Sequence, residues 1–137
     1  MVSIKGGGAM NIEYITKAKS PKDIYQLYEE LGWNRFLELS QEALVKAMEN
    51  SYKVIYAYDG PLLIGTARII SDGVTNAYFC GLGVKQTHRG KGVARTMTSI
   101  LRKECSEEGL HFQFFVDHTL VPYYEKQGYK HFAVGMK

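Results

Sequence analysis

The sequence predicts a single α/β domain: a mixed, mostly antiparallel sheet with helices on both faces. Two observations favour this class. The chain has 137 residues, which suits one hydrophobic core. Short β-rich runs separated by turn signals also alternate with runs whose apolar residues recur at helical spacing. The predicted order is β-α-α-β-β-β-α-β-α-β, with six or seven strands and about four helices. Residues 1–10 are expected to form a flexible leader, and residues 11–137 the domain.

The domain is predicted to open with a strand, because residues 11–16 alternate between apolar and polar side chains. A first helix should follow. Ser20 can cap it, Pro21 suits the first helical position, and Gly32 ends it. The region therefore begins as a strand followed by an amphipathic helix.

A second helix is predicted from Ser40 onwards, again with a serine in the capping position. The segment between the two helices contains Trp33 and Phe36. These aromatic side chains could overhang a pocket, or they could simply belong to the core. The sequence is consistent with both interpretations.

The middle of the chain is predicted to be a three-stranded meander. Residues 52–58 and 62–70 are β-rich, and Asp59-Gly60 between them is a strong hairpin signal. The third strand spans residues 75–84. Because part of it is apolar on both faces, it should lie in the centre of the sheet. Gly81 and Gly83 near its end indicate a bulge or a close approach by a ligand, with a simple kink as the plainer alternative.

The C-terminal third is predicted to alternate helices and strands. A helix covers about residues 92–108, and residues 111–117 form a strand. A further helix is capped at Thr119 and ends near Gly128. The predicted final strand spans residues 129–136.

The stretch 82–95, between the central strand and the long helix, has the chemistry of an anion site. It contains Gly90 and Gly92, several basic residues and no acid. A glycine turn that opens a helix exposes backbone N–H groups and the positive end of the helix dipole to a phosphate. The spacing matches neither a P-loop nor a dinucleotide fingerprint. A solvated basic turn that merely begins a helix is the alternative.

The composition excludes several classes of protein. The net charge of +3 is mild, and no basic stripe with interleaved aromatics predicts a nucleic-acid partner. No apolar run approaches the ~18 residues of a membrane span, and no signal peptide is visible. Cys80 and Cys105 fit no metal spacing, so we expect buried free thiols, a reducing cytoplasmic location and no metal.

Two motifs resemble those of the GNAT superfamily of acetyl-CoA-dependent N-acetyltransferases. The first is Arg89-Gly90-Lys91-Gly92-Val93-Ala94, similar to that family's glycine-containing signature. The second is Tyr123-Tyr124-Glu125-Lys126-Gln127-Gly128-Tyr129, similar to its aromatic-Tyr-x-x-x-Gly-aromatic motif. The predicted element order also fits, so the resemblance covers residues 11–137.

The resemblance implies acetyl-CoA as co-substrate, with its pyrophosphate on the backbone amides of residues 89–94. The pantetheine arm would bond to the backbone of the strand near Gly81. The residues implied in acetyl-CoA binding are Leu82, Gly83, Val84, Arg89, Gly90, Lys91, Gly92, Val93, Ala94, Arg95, Asp117 and Tyr124.

The resemblance also implies direct attack of a primary amine on the thioester in a ternary complex. A backbone N–H near Leu82 would stabilise the oxyanion, and Tyr124 would be the general acid that protonates the leaving thiolate. The alternative for Tyr124 is an aromatic that fixes its helix to the sheet. The tyrosine before it, Tyr123, is expected to pack.

The general base is less well defined. Relatives often place a Glu on the strand before the CoA loop, but residues 75–84 contain no acid. Asp117, His118 and Asp72 are the candidates, and a proton relayed through water is an equal alternative. Asp117 could instead only cap the helix at Thr119.

The acceptor is expected to be a small-molecule amine, with Trp33, Phe36 and Asp72 around its pocket. The alternatives are a protein (lysine or N-terminal) acetyltransferase and a non-catalytic acyl-CoA-binding sensor. A homodimer paired through the short C-terminal strand is a further expectation.

Overall fold

The computed structural model describes residues 4–5 and 11–137. In these residues one sheet has the strand order β1-β2-β3-β4-β5-β6, antiparallel throughout except for parallel β5 and β6. The strands are β1 (Ile4–Lys5), β2 (Ile12–Ile15), β3 (Lys53–Asp59), β4 (Leu62–Ser71), β5 (Asn76–Val84) and β6 (His111–Gln113). The predicted α/β class with a mixed, mostly antiparallel sheet is confirmed. Five strands have three or more residues, and β1 adds two.

The predicted leader, residues 1–10, lies outside the described residues except for β1. The two residues of β1 pair with β2, opposite Tyr14 and Glu13. The edge of the described sheet is therefore formed by a segment that the sequence did not assign to a strand.

Five helices surround the sheet in the described part of the chain: α1 (Pro21–Glu30), α2 (Asn34–Leu37), α3 (Gln41–Glu49), α4 (Val93–Glu107) and α5 (Val121–Glu125). The Ser40 hydroxyl accepts a hydrogen bond from the Ala43 N–H at 3.1 Å, so the predicted cap of α3 is confirmed. Ser20 occupies the capping position of α1, but its side chain makes no cap hydrogen bond. No helix there is long and apolar enough to cross a membrane.

The sheet has a hydrophobic core on each face, as alternation of side chains along its strands requires. On one face α4 packs through Met97, Leu101 and Cys105, all with 1% or less of their surface exposed. On the other face α1 and α3 pack through residues that include Leu27 and Leu44, each 1% exposed. The helices therefore hold the central strands rigid from both sides.

The C-terminal region differs from its prediction. The helix expected at residues 119–128 is a 3-10 turn, His118–Leu120, followed by the short helix α5. The strand expected at residues 129–136 is absent, and Phe132, Val134 and Met136 are exposed. A strand needs a partner, and β6 has only three residues, all paired with β5 on the other side. The tail instead passes beside Phe115, since a Cβ built on Gly135 would lie 3.3 Å from that ring.

This absence also removes the argument for a dimer formed by pairing of that strand. The dimer itself stays a prediction, because many members of the family that the sequence resembles dimerise.

Candidate functional site

The two parallel strands β5 and β6 diverge and leave a cleft in the sheet. They pair only between Asn76–Tyr78 and His111–Gln113. Beyond Tyr78, β5 continues to Val84 with β4 on one side, and no strand of residues 4–5 and 11–137 pairs with it on the other. The backbone of residues 79–84 therefore presents an unpaired edge, which can bond to an extended ligand as another strand would.

A bulge lies at the centre of this edge. Arg68 of β4 is opposite Cys80 and Thr66 is opposite Gly83, so two residues of β5 face the single residue between them. Gly81 has a φ of +64°, which only glycine adopts without strain. The bulge predicted from the glycines is confirmed, and it bends β5 where β6 departs.

Gly83 has a different reason to be glycine. A Cβ built on it would lie 2.6 Å from Leu31 Cδ1 and 2.7 Å from Trp33 Cη2, closer than real contacts allow. The segment after α1 therefore packs directly on the backbone of β5. For Gly83 the close approach comes from protein side chains, which also fix Trp33 beside the cleft.

The cleft has a volume of about 430 Å³ and brings together several of the predicted residues. Trp33, Phe36, Leu82, Asp117 and Tyr124 all contribute to its lining. Gly81, where the sequence predicted a close approach by a ligand, also lines the cleft. Residues that the sequence did not single out for a site complete it: Leu37, Tyr78, Phe79, Cys80, Phe114, Phe115, Val116 and Leu120. Several aromatic residues lie close together in the sequence around residue 114, and this was the signal that could have predicted the aromatic side of the cleft.

Tyr124 lies in an aromatic cluster at one side of the cleft. Its ring centroid is 5.0 Å from those of Phe114 and Tyr123, and 5.9 Å from that of Tyr129. Burial, and then Tyr123 and Tyr129, raise the pKa of Tyr124 above its ordinary value of 10.0. The phenol is therefore protonated at neutral pH, and its neighbours hold the ring in place.

Asp117 lines the cleft, but its carboxylate is already engaged. One oxygen accepts hydrogen bonds from the Thr119 N–H at 2.9 Å and the Thr119 hydroxyl at 2.7 Å. These bonds lower the pKa of Asp117, so the group is a weak base at neutral pH. Asp117 therefore caps the turn that leads into α5, as the sequence allowed, whereas His118 is exposed and does not line the cleft.

Asp72 lies in the turn between β4 and β5, outside the cleft lining. Its Oδ1 accepts from the N–H groups of Val74 and Thr75 at 2.8 Å each, and its Oδ2 accepts from the Thr75 hydroxyl at 2.7 Å. These bonds lower the pKa of Asp72. The carboxylate organises the turn, which explains its presence without a catalytic role.

The glycine-containing loop follows β5 directly and opens α4. Gly90 and Gly92 have φ values of +74° and +83°, and a Cβ on either would meet nothing within 4 Å. Both positions thus require glycine for backbone conformation. Gly92 caps α4 without a side-chain bond, and the first turn contains no acid, so its N–H groups are open to an anion.

The basic residues of the loop differ in whether they already bond to another group of the protein. Arg89 donates from Nε to the Val84 carbonyl at 2.9 Å and ties the loop to the end of β5. Lys91 and Arg95 are exposed beside the start of α4. Lys91 and Arg95 are therefore the cations available to a ligand that reaches the helix N-terminus.

The two cysteines are free, as predicted. Cys105 is buried, whereas Cys80 is only partly so and lines the cleft, and burial raises the pKa of its thiol. Nothing therefore activates Cys80 as a thiolate nucleophile. Across residues 4–5 and 11–137, no group of three His, Cys, Asp or Glu side chains could hold a metal ion.

The acetyltransferase (GNAT) domain family matches residues 15–134. A protein from Prochlorococcus marinus named an uncharacterized N-acetyltransferase ycf52-like is 27% identical over 112 residues, which are 78% of this chain and 61% of that protein. The chain thus spans about three fifths of that relative.

Solved structures share the fold. A GNAT family acetyltransferase from Streptococcus pneumoniae superposes with a TM-score of 0.71 at 20% identity, over 92% of this chain and 96% of that one. A protein from Clostridium acetobutylicum, solved with acetyl-CoA, gives 0.65 at 19% identity, over 92% and 94%.

Gly83→Ala should destabilise the protein by about 1–3 kcal/mol, because the new methyl group overlaps Leu31 and Trp33. Chemical denaturation measures the loss, and the emission of Trp33, the chain's single tryptophan, should change. In a Trp33→Ala background the same substitution should cost less. An equal cost in both backgrounds would contradict direct packing of Trp33 on β5.

Asp72→Ala should destabilise the protein at pH 7, and the effect should shrink as the pH falls below about 3.9. The folded-state pKa of Asp72 is lowered, so its contribution is present above the unfolded value of about 3.9 and is lost as the pH falls through the folded value. Denaturation of both proteins across this range measures the difference. A difference that is constant with pH would show that the charged hydrogen bonds of Asp72 do not stabilise the turn.

Proposed function

The chain belongs to the GNAT acetyltransferase family, and we propose that it moves the acetyl group of acetyl-CoA to the primary amine of a small molecule by direct attack in a ternary complex. One observation supports this above all. The edge of β5 that no described strand covers borders the aromatic cleft, and the loop after β5 leads to the N-terminus of α4, whose N–H groups no side chain caps. A long ligand with a reactive end and an anionic middle suits such an arrangement.

In this proposal the pyrophosphate of CoA binds the N–H groups of residues 89–94, and the charges of Lys91 and Arg95 assist. The pantetheine arm lies along β5 and bonds to backbone groups of residues 81–84 on the edge that faces away from β4, where no described strand pairs. The thioester then lies in the cleft next to Tyr124. The acetyl-CoA in the Clostridium acetobutylicum neighbour supports this choice of co-substrate.

The chemistry needs one donor for the oxyanion and one proton for the leaving group. The amine nitrogen bonds to the thioester carbonyl carbon, and a backbone N–H at the bulge near Leu82 stabilises the negative oxygen. The C–S bond then breaks, and the phenol of Tyr124 gives its proton to the thiolate. A thiolate whose conjugate thiol has a pKa of about 8.5 can take a proton from a phenol of pKa about 10 when the two are held together.

The amine must also lose a proton. Of the three candidate bases, only Asp117 lines the cleft, and its hydrogen bonds to Thr119 make it a weak acceptor. We therefore propose that the proton leaves through water, with Asp117 as the carboxylate closest to that route. The volume of about 430 Å³ suits a small acceptor better than a folded protein surface.

Tyr124→Phe should lower kcat by at least about tenfold with little change in acetyl-CoA affinity, because only the proton donor is removed. Release of free thiol across a panel of amines measures turnover, and calorimetry measures binding. Tyr123→Phe is the matched control, since Tyr123 also packs in the cluster but does not line the cleft. Unchanged turnover in Tyr124→Phe would remove this residue from the mechanism.

A further inference from the structure

Arg68 is a cation without a counter-ion in a strand that is otherwise almost entirely apolar. Its Nε is fully buried and has no hydrogen-bond acceptor among the described residues. Nη1 donates to the Ser51 hydroxyl at 3.3 Å, and no ion pair in that part of the chain includes Arg68. Lys85, also largely buried, shows the usual arrangement, since Glu30 lies 2.9 Å from its Nζ. Arg68 is partly exposed as a whole, and its charge has no negative partner among the described residues, so it is available to an anionic ligand.

The guanidinium lies directly behind the floor of the cleft. Arg68 is in register with Cys80, and both Cys80 and Gly81 line the cleft. A Cβ built on Gly81 would lie 3.3 Å from Arg68 Nε and 3.6 Å from the Tyr28 hydroxyl. Gly81, which lines the cleft, therefore lies against both groups, and Arg68 as a whole keeps part of its surface exposed.

The groups around Arg68 are neutral. Burial raises the pKa of Tyr28, although Arg68 partly opposes this shift, and burial raises that of Tyr56 well above 10. Ser51 and Cys80 supply no negative charge either, because burial keeps the thiol protonated. The positive charge of Arg68 is thus uncompensated and attracts an anion in a site of low dielectric.

We propose that Arg68, with the hydroxyl of Tyr28, binds an anionic group on the acceptor, so that the substrate is an amine that also bears a carboxylate or a phosphate. This inference rests on the proposed acetyl transfer. The bulge at Gly81 places the anion close to Leu82, where the amine reacts. Guanidinium groups bind both kinds of oxyanion in the same bidentate geometry.

Two matched pairs of amines test the proposal with acetyl-CoA at saturation. O-phosphoethanolamine is compared with ethanolamine, and β-alanine with propylamine, by thiol release. We expect the anionic member of at least one pair to have a KM roughly tenfold lower or more. The pair that shows the larger ratio identifies phosphate or carboxylate as the group bound. Equal KM values within both pairs would overturn the inference while leaving acetyl transfer intact.

Arg68→Gln should bring the ratio of KM values close to one, and Arg68→Lys should retain part of it. Arg35→Gln removes the same charge from the exposed side of α2 and should leave the ratio unchanged. If Arg68→Gln slowed both amines alike, the residue would be structural and the inference would fail. Circular dichroism and acetyl-CoA affinity confirm that each variant is folded.

A direct binding measurement separates this inference from the proposed activity. Trp33 lines the cleft, and its ring lies 5.0 Å from that of Tyr28, so its fluorescence reports on the site. Titration with O-phosphoethanolamine or β-alanine should change the emission of the unmodified protein but not of Arg68→Gln. No change in the unmodified protein would overturn the anion site. Absence of thiol release with every amine would instead overturn the acetyl transfer.

Discussion

The structure depends on one constraint in the sheet, the bulge at Gly81 at the point where β6 leaves β5. Three residues of parallel pairing hold the two strands together, and beyond them the edge of β5 is free. The helices on both faces keep this edge in place, since a strand open on one side would otherwise fray or associate with another chain. In the two proposals above, the backbone of β5 next to this bulge binds the pantetheine arm, and Arg68 beside Gly81 binds the anionic group of the acceptor.

The cleft, the bulge and the glycine loop form one continuous path along the chain. In the proposed function, Tyr124 and the aromatic cluster lie at the end where the thioester reacts, and the open N–H groups of α4 lie at the end that binds the pyrophosphate. Arg89 joins β5 to the loop through the Val84 carbonyl, so the two parts keep a fixed relation. A cofactor bound along this path would therefore meet a largely preformed site, which favours reactive geometry over rearrangement.

Much of this could be predicted from the sequence because its signals are local. The hairpin at Asp59-Gly60, the cap at Ser40 and the bulge near Gly81 each follow from residues close together in the chain. Tyr124 and the loop before α4 could be placed by their motifs. Each of these features depends only on a local backbone preference or on the spacing of apolar and polar residues along the chain.

The remainder depends on contacts between distant segments. Tertiary packing explains Gly83, because Trp33 lies against it. The strand expected at residues 129–136 lacks a partner edge, which alternation alone cannot reveal. Arg68 was visible as a charge within an apolar strand, but its missing counter-ion could only be recognised once its neighbours were known.

Amide hydrogen exchange with and without acetyl-CoA shows whether the ligand binds along the free edge of β5 and at the N-terminus of α4. We expect acetyl-CoA to slow exchange at the amides of residues 81–84 and 90–95, which lie in these two places. Amides of β3, already paired on both sides, should not change. Tight binding of acetyl-CoA without protection at either segment would contradict the account.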